Sequence, residues 1–413
     1  MNSQPAPGVV SFEQATEIIQ RYCARLTPGR LEQVSLLQAL GRTMAEPVLA
    51  DRHFPPFPRA TRDGYAVHSQ DLSSIPASLR VIGQVKAGDI YSGPIAPGEA
   101  VEIMTGAAVP ASLDAVVMIE HTSRDADWVQ IQRGCAQGEN IVPTGSEARA
   151  GQEMLLRGQK LGSAQIAAAA ATGRTAVSVF QKPKVAILST GDEIVEISRT
   201  PGPHQIRNSN SYSLAAQVIL AGGEPLILPI APDDKDSLRN LIQEGFTADL
   251  LLLSGGVSMG KYDLVEQVLE SLGARFFFTG ALIQPGRPVV FGEVPAPLKT
   301  APLPFFGLPG NPLSTMVTFD LFARRVVEAL SGAPALRLPV AQARLAKEIK
   351  TRAGLTRFLP GILGGGVYDA QVEVVRWQGS GDLMAIAGAN CYVVIPPDKE
   401  YFPAGELISV VMR

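Results

Sequence analysis

Asp249 to Asp263 reads DLLLLSGGVSMGKYD, and the way this stretch parses decides the fold. Leu250 to Leu253 is an apolar run of strand length, Gly255 and Gly256 follow, and YDLVEQVLESLG then repeats its apolar residues at helical spacing. Strand, glycine turn and helix form the repeating unit of an α/β sheet. The turn aims backbone N–H groups and a helix N-terminus at one point, which suits an anion. Gly255 to Lys261 also spells G-x-x-x-x-G-K, but the next position is Tyr262. A triphosphatase loop needs a short hydroxyl there to ligate magnesium. A phenol on a rigid ring cannot replace it, so that reading fails. Taken alone, the loop fits an anion cradle and a plain strand-to-helix turn equally well.

The same unit recurs on both sides. KVAILS precedes NSYSLAAQVILAGG, PLILPI precedes KDSLRNLIQEG, and PFFGL precedes PLSTMVTFDLFARRVVEALSG. This alternation predicts a doubly wound, mainly parallel sheet over residues 183–333. Upstream, Ser11 opens a helix with a Ser-x-x-Gln capping box, and LLQALG is expected to end a second helix at Gly41. Short β runs such as LRVIGQV, AVEIMTG and AVVMIE fill residues 51–146, and SAQIAAAAATG returns to helix between Ser163 and Gly173. Residues 1–50 with 147–182 therefore read as one helical, elongated domain into which a small β domain, 51–146, is inserted. Residues 334–413 turn β again (QVEVVRW, CYVVIP, LISVVM) and read as a C-terminal, barrel-like module. The fold class expected is α/β multidomain.

At 413 residues, 18% charged and 46% hydrophobic with net charge −3, the chain carries no basic excess for tracking nucleic acid. Three scattered cysteines and four histidines argue against a disulfide framework and a thiolate or imidazole metal site. The first residues have no signal-peptide pattern, and no apolar run reaches the ~20 residues that span a bilayer. A cytoplasmic protein is expected, with neither membrane nor nucleic acid as partner.

Ligands of open α/β sheets bind beyond the carboxyl ends of the strands. Four loops fall there: Ser189-Thr190-Gly191-Asp192-Glu193, Ala231-Pro232-Asp233-Asp234, the glycine loop ending at Asp263, and Gly307-Leu308-Pro309-Gly310-Asn311-Pro312. Three of them bring carboxylates to an edge otherwise suited to anions. Hard carboxylate oxygens beside a phosphate call for magnesium. Each residue also has a bland reading as a solvated turn or cap, and Asn311-Pro312 alone is an ordinary helix start. Joint placement on one edge is what favours a site. In the β domain, Arg62-Asp63-Gly64 and Thr105-Gly106 are either ligand-facing or ordinary strand-ending turns. No Ser-His-Asp arrangement is readable.

These stretches together resemble the molybdopterin molybdenumtransferase family, the MoeA-type proteins and the E domain of gephyrin. The matching residues are Asp63 to Val67, Ile103 to Ala107, Ser189 to Glu193, Ser254 to Gly260 with Asp263, Pro285 to Pro288, Gly307 to Pro312 and Gln378 to Ser380, in family order over nearly the whole chain. The resemblance implies an elongated homodimer whose cleft lies between the sheet domain of one subunit and the β domain of the other. It implies insertion of molybdenum from molybdate into adenylylated molybdopterin, with magnesium-dependent release of AMP, and a supply of substrate by the pathway's adenylyltransferase. By motif, Glu193, Asp233 and Asp263 would surround the metal, and Asp63 and Thr105 would reach in from the partner subunit. Ser189, Thr190, Gly191, Ser254, Gly255, Gly256, Ser258, Arg287, Pro309, Gly310, Asn311, Pro312 and Ser380 would complete substrate binding.

The chain departs from the family pattern at several places. Gly280 and Gln284 stand where lysines are common, Val142 where arginine is usual, Gly145-Ser146-Glu147 where Gly-Glu-Asp is usual, and Asn208 where aspartate is. Arg62 and Arg287 are expected to restore some of the lost positive charge. Two rivals follow: a silent molybdopterin-binding scaffold, and an adenylyltransferase, which would need the sheet domain alone.

Overall fold

The computed structural model describes residues 8–256, 264–297, 299–334 and 338–413. The glycine-loop residues Ser258, Lys261, Tyr262 and Asp263 lie outside these, so the roles expected of Ser258 and Asp263 rest on sequence.

The sheet predicted from the strand–helix alternation is present, with strand order Glu224–Ile227, Lys184–Ser189, Leu250–Ser254, Leu303–Leu308, Val290–Val294, Arg275–Phe278. The first four are parallel, and Val290–Val294 and Arg275–Phe278 add an antiparallel edge. Both faces are covered, as uniformly apolar strands require. Ile187, Leu250, Leu252 and Phe306 pack one face, while Ala186, Leu188, Leu251 and Phe305 pack the other. Phe291 stacks on Phe306 with ring centroids 4.5 Å apart. Each fully buried aromatic contributes about 2 kcal/mol. From Lys184–Ser189 the chain crosses first to one neighbour, Glu224–Ile227, and then to the other, Leu250–Ser254. Loops after Ser189 and Ser254 therefore flank the point where winding reverses, which is where such sheets open a crevice.

The β region is a six-stranded sheet ordered Ala115–Met118, Gly64–Val67, Glu99–Ile103, Ala77–Val85, Trp128–Ile131, Thr122–Asp125. In the C-terminal region, Thr356–Gly366, Asp369–Val374, Val340–Leu345, Leu407–Met412 and Cys391–Ile395 pair in turn, and Thr356–Gly366 pairs back with Cys391–Ile395. That pairing closes a five-stranded barrel. Ile283–Gln284 pairs in parallel with Thr356 and Arg357, stitching the barrel to the sheet region.

The first 50 residues are not mostly helical as expected. The Ser11 capping box does start a helix, Phe12–Cys23, but Ile19, Tyr22 and Cys23 pack into the sheet core. Leu31–Ser35 is a strand antiparallel to Ala176–Phe180, and the expected helix ending at Gly41 is a run of turns. Pairing with a segment about 145 residues away overrides the local preference of a short apolar run. Helix Ser163–Ala171 does form, and Gly173 follows it at φ +75°.

Candidate functional site

Backbone hydrogen bonds lace the carboxyl-end loops into one surface. Thr190 N donates to Ser254 O at 3.1 Å, Gly191 N to Ala231 O at 3.3 Å and Gly255 N to Leu308 O at 3.3 Å. Gly255 sits at φ +91°, and a Cβ there would lie 2.5 Å from the Thr190 carbonyl oxygen. Gly256, at φ +65°, would press a Cβ to 2.7 Å from Val265. Only glycine permits loops this close in this backbone region.

The surface so formed is a cleft of about 490 Å³. Thr190, Gly191, Glu193, Asp233, Ser254, Gly255, Gly256, Pro309, Gly310, Asn311 and Pro312 all line it. Eleven residues expected at the site thus line one cleft. Ser189 does not join them: it is buried, and its hydroxyl lies 3.0 Å from Asn208 Oδ1 and 2.9 Å from Ser211 Oγ. Its work is to brace the floor. A neighbouring cleft of about 450 Å³, between the sheet and the barrel, is lined by Arg287, Ser380, Trp377 and Leu355, and shares Pro309 and Asn311 with the first. Asn311 Nδ2 donates to Ser380 Oγ at 2.8 Å, joining the two.

Asp63 and Thr105 stand apart, lining neither cleft of their own chain. Both are exposed, and Thr105 donates its N–H at 2.6 Å and its hydroxyl at 2.7 Å to the same Asp63 oxygen. Those two donors hold the Asp63 carboxyl below the usual carboxylate range.

Among the carboxylates, Asp233 accepts from Thr190 Oγ1 at 3.1 Å, and Glu193 folds back over Gly191. Asp192 accepts from Asp233 N and so supports its neighbour, and Asp234 caps helix Lys235–Glu244. No group of three or more His, Cys, Asp or Glu suited to a metal occurs among the described residues. Glu193 and Asp233 both line the cleft and are hard oxygen donors of the type that magnesium takes, one or two at a time, beside a substrate phosphate.

Sequence reasoning noted Asn208 only as a departure from the family pattern and passed over the rest of the N-terminus of helix Ser209–Leu220. Arg207, Asn208, Ser209 and Asn210 all line the first cleft. Arg207 Nε donates to the carbonyls of Ile197 and Arg199, each at 3.1 Å, which orients the cation on that wall. Asn210 Nδ2 donates to Gly310 O at 2.7 Å and Ser254 Oγ at 2.9 Å, leaving its buried Oδ1 without a partner. The signal was the N-cap run Asn208-Ser209-Asn210, readable as a helix start at the same sheet edge.

Residues 10–173 match the MoeA N-terminal region (domains I and II), 186–329 a probable molybdopterin binding domain, and 342–412 the MoeA C-terminal region (domain IV). A molybdopterin molybdenumtransferase of Nostoc sp. is 34% identical over 92% of this chain and 88% of its own length. The chain belongs to the MoeA family of molybdopterin molybdenumtransferases. A second MoeA-family relative, from Bacillus subtilis, is 31% identical over 96% of this chain and 93% of its own. The crystal structure of a MoeA protein from Pyrococcus horikoshii superposes with TM-score 0.70 at 33% identity, covering 98% of this chain and 99% of that one. Another from Pyrococcus horikoshii OT3 reaches TM-score 0.78 at 27% identity, covering 98% and 100%. In MoeA terms, the first cleft falls wholly within the molybdopterin-binding match, Ser380 comes from the C-terminal region, and Asp63 and Thr105 come from the N-terminal region. Among the described residues no helix is long and apolar enough to cross a membrane.

Proposed function

We propose that this protein inserts molybdenum from molybdate into adenylylated molybdopterin and releases AMP. The observation that carries the reading is the first cleft itself. There Gly255, Gly256 and Gly310 bring backbone close to a ligand, Glu193 and Asp233 supply hard oxygens, and the unpartnered Asn210 Oδ1 calls for a ligand N–H or O–H. Glu193 and Asp233, with Asp263, would hold magnesium, whose chemistry here is to neutralise charge on the phosphoanhydride. Thr190 orients the Asp233 carboxylate through its hydroxyl. Arg207 supplies positive charge to the first cleft, and Arg287 with Ser380 borders the second, so both are fitted to the anionic parts of the substrates. Arg62 adds charge beside Asp63.

Asp63 and Thr105 act in this reading from a second copy of the chain, a placement supported by their lining neither of the two clefts described among the residues of their own chain. The protein works as a cytoplasmic homodimer, receiving substrate from the adenylyltransferase of the pathway. The test is to incubate purified protein with adenylylated molybdopterin, magnesium and molybdate and to follow AMP by chromatography. Molybdate-dependent AMP is the expected result. Binding without AMP identifies a scaffold, and conversion of free molybdopterin and ATP to adenylylated molybdopterin and pyrophosphate, with no molybdate-dependent AMP, identifies an adenylyltransferase. Either outcome overturns the reading.

A further inference from the structure

Helix Pro312–Thr318 does not end as an ordinary helix. It runs into a π-helical turn, Phe319–Ala323, before resuming as Arg324–Leu330. Such wide turns recur at functional sites. Phe319, Leu321 and Phe322 on this turn are fully buried, yet the position between them is Asp320, whose side chain is 15% exposed. A carboxylate in such surroundings costs desolvation that an apolar residue would avoid, so it needs a compensating network.

That network ties together three elements. Gln217, near the end of helix Ser209–Leu220, donates to Asp320 Oδ1 at 2.8 Å and to Met316 O at 3.0 Å. Tyr392 of the barrel, fully buried, donates its hydroxyl to Asp320 Oδ2 at 2.7 Å. Arg413 Nε stands 4.0 Å from the same oxygen, its guanidinium 5.5 Å from the Tyr392 ring centre. Arg413 Nη1 also donates to the carbonyls of Ile386 at 2.7 Å and Ala389 at 3.1 Å, at the far end of helix Leu383–Ala387.

Each tied element carries cleft residues at its opposite end. Asn311 precedes Pro312–Thr318, Asn208 precedes Ser209–Leu220, and Ser380 lies just before Leu383–Ala387. At that near end, Ser380 is gripped twice: Asn311 Nδ2 donates to its hydroxyl, and Leu313 N donates to its carbonyl at 3.1 Å. The short helix Leu383–Ala387 is therefore held against one long helix at two points, roughly 13 Å apart at 1.5 Å rise per residue.

We propose that Asp320 is a positioning residue that acts through Tyr392 and Arg413 to keep Ser380 docked on Asn311 at the mouth of the cleft. The inference rests on the proposed function for Ser380's contact with substrate. Both Asp320 oxygens are bonded, one to Gln217 and one to Tyr392, and a buried carboxylate held at both oxygens favours one arrangement of the parts it joins. With the far grip released, Leu383–Ala387 pivots about the near one and Ser380 leaves the cleft wall.

The test uses the full chain with Asp320→Asn and Ser380→Ala, singly and together. Asp320→Asn is expected to raise KM for adenylylated molybdopterin about fivefold with kcat little changed, the scale of one lost hydrogen bond. On the Ser380→Ala background the same change should add less than about twofold, because the two act as a unit. Independently of any ligand, amide exchange at Leu313 should quicken about tenfold if its bond to Ser380 opens more often. Unchanged KM, unchanged Leu313 exchange, or a fivefold loss retained in full on the Ser380→Ala background overturns the proposal. Should Asp320→Asn fail to fold, Tyr392→Phe removes the same bond while keeping the ring under Arg413, and carries the same expectations. Wild-type protein that binds no adenylylated molybdopterin would defeat the proposed function instead, while Leu313 exchange would still decide whether the tie exists.

Discussion

The sheet-edge cleft and the Asp63–Thr105 pair are built on opposite plans. The cleft is assembled from loops bonded to each other by backbone, and its floor is braced by Ser189, Asn208 and Ser211 hydrogen-bonding among themselves. The loop after Ser189, which carries Glu193, lies beside the point where winding reverses, the place any doubly wound sheet opens. Asp63 and Thr105 instead form a small, exposed unit, already oriented by two short bonds and lining neither of the two clefts. One region is a container and the other a tool without a workpiece. Preorganisation in both, with containment in only one, is what a site shared between two copies of a chain requires.

The sharpest way to break this comparison is at the container. Asp233→Asn keeps the shape of the side chain and an oxygen for the Thr190 hydroxyl but removes the charge. AMP release should fall roughly 10²- to 10³-fold, the scale of losing one well-placed electrostatic group, with the melting temperature unchanged. A rate within a few-fold of wild type would mean that the chemistry lies elsewhere. The exposure of Asp233 makes unfolding an implausible explanation of any loss.

The tool is tested by complementation. Asp63→Ala and Asp233→Ala should each be nearly inactive alone. Mixed by unfolding and refolding together, they would, as the proposed homodimer, include pairs in which one cleft has both an intact wall and an intact partner. Random pairing puts half of the chains in mixed dimers with one good cleft of two, so about a quarter of wild-type activity should return. No recovery would show that Asp63 serves its own chain's site or none. The result separates the two regions directly, because recovery is impossible if both residues belong to one subunit's cleft.

Legibility in the sequence followed the same division. The four parallel strands, their order of chemistry-bearing loops and the close glycines could be read because strand–helix alternation and the carboxyl-edge rule are local and geometric. That Ser189 does not line the cleft was not readable for a physical reason: it ends a strand, and which way a strand-terminal side chain turns depends on the Asn208 and Ser211 it meets from another segment. Asn210 was missed because its value lies in an orphaned acceptor, visible only once Gly310 has claimed its amide hydrogens. Leu31–Ser35 was read as part of a helical region because its partner, Ala176–Phe180, is remote in sequence. The role of Asp63 and Thr105 came from family resemblance alone. Spacing could not have placed them, since they lie on a different sheet from the cleft loops.

The smallest expected effect probes how the Asp63–Thr105 pair is tuned. The Thr105 N–H and hydroxyl both donate to Asp63, and both favour the ionised carboxylate, so its pKa is depressed. A depressed folded-state pKa means that these bonds are at full strength above the ordinary aspartate value of about 3.9 and weaken as pH falls through the lower folded value. At neutral pH the group is ionised with or without the hydroxyl. Thr105→Val keeps the side-chain shape and the backbone donor but deletes the O–H, so the Asp63 midpoint should move part of the way back toward the ordinary value. Carbon-detected titration of the Asp63 carboxyl measures this. The rate of AMP release at pH 7 should drop only about twofold, since charge is retained and only orientation is loosened. A midpoint that does not move would mean that the backbone N–H alone sets the carboxylate. A rate loss as large as that of Asp233→Asn would mean that the Thr105 hydroxyl touches substrate itself, making the exposed pair part of the wall of the site.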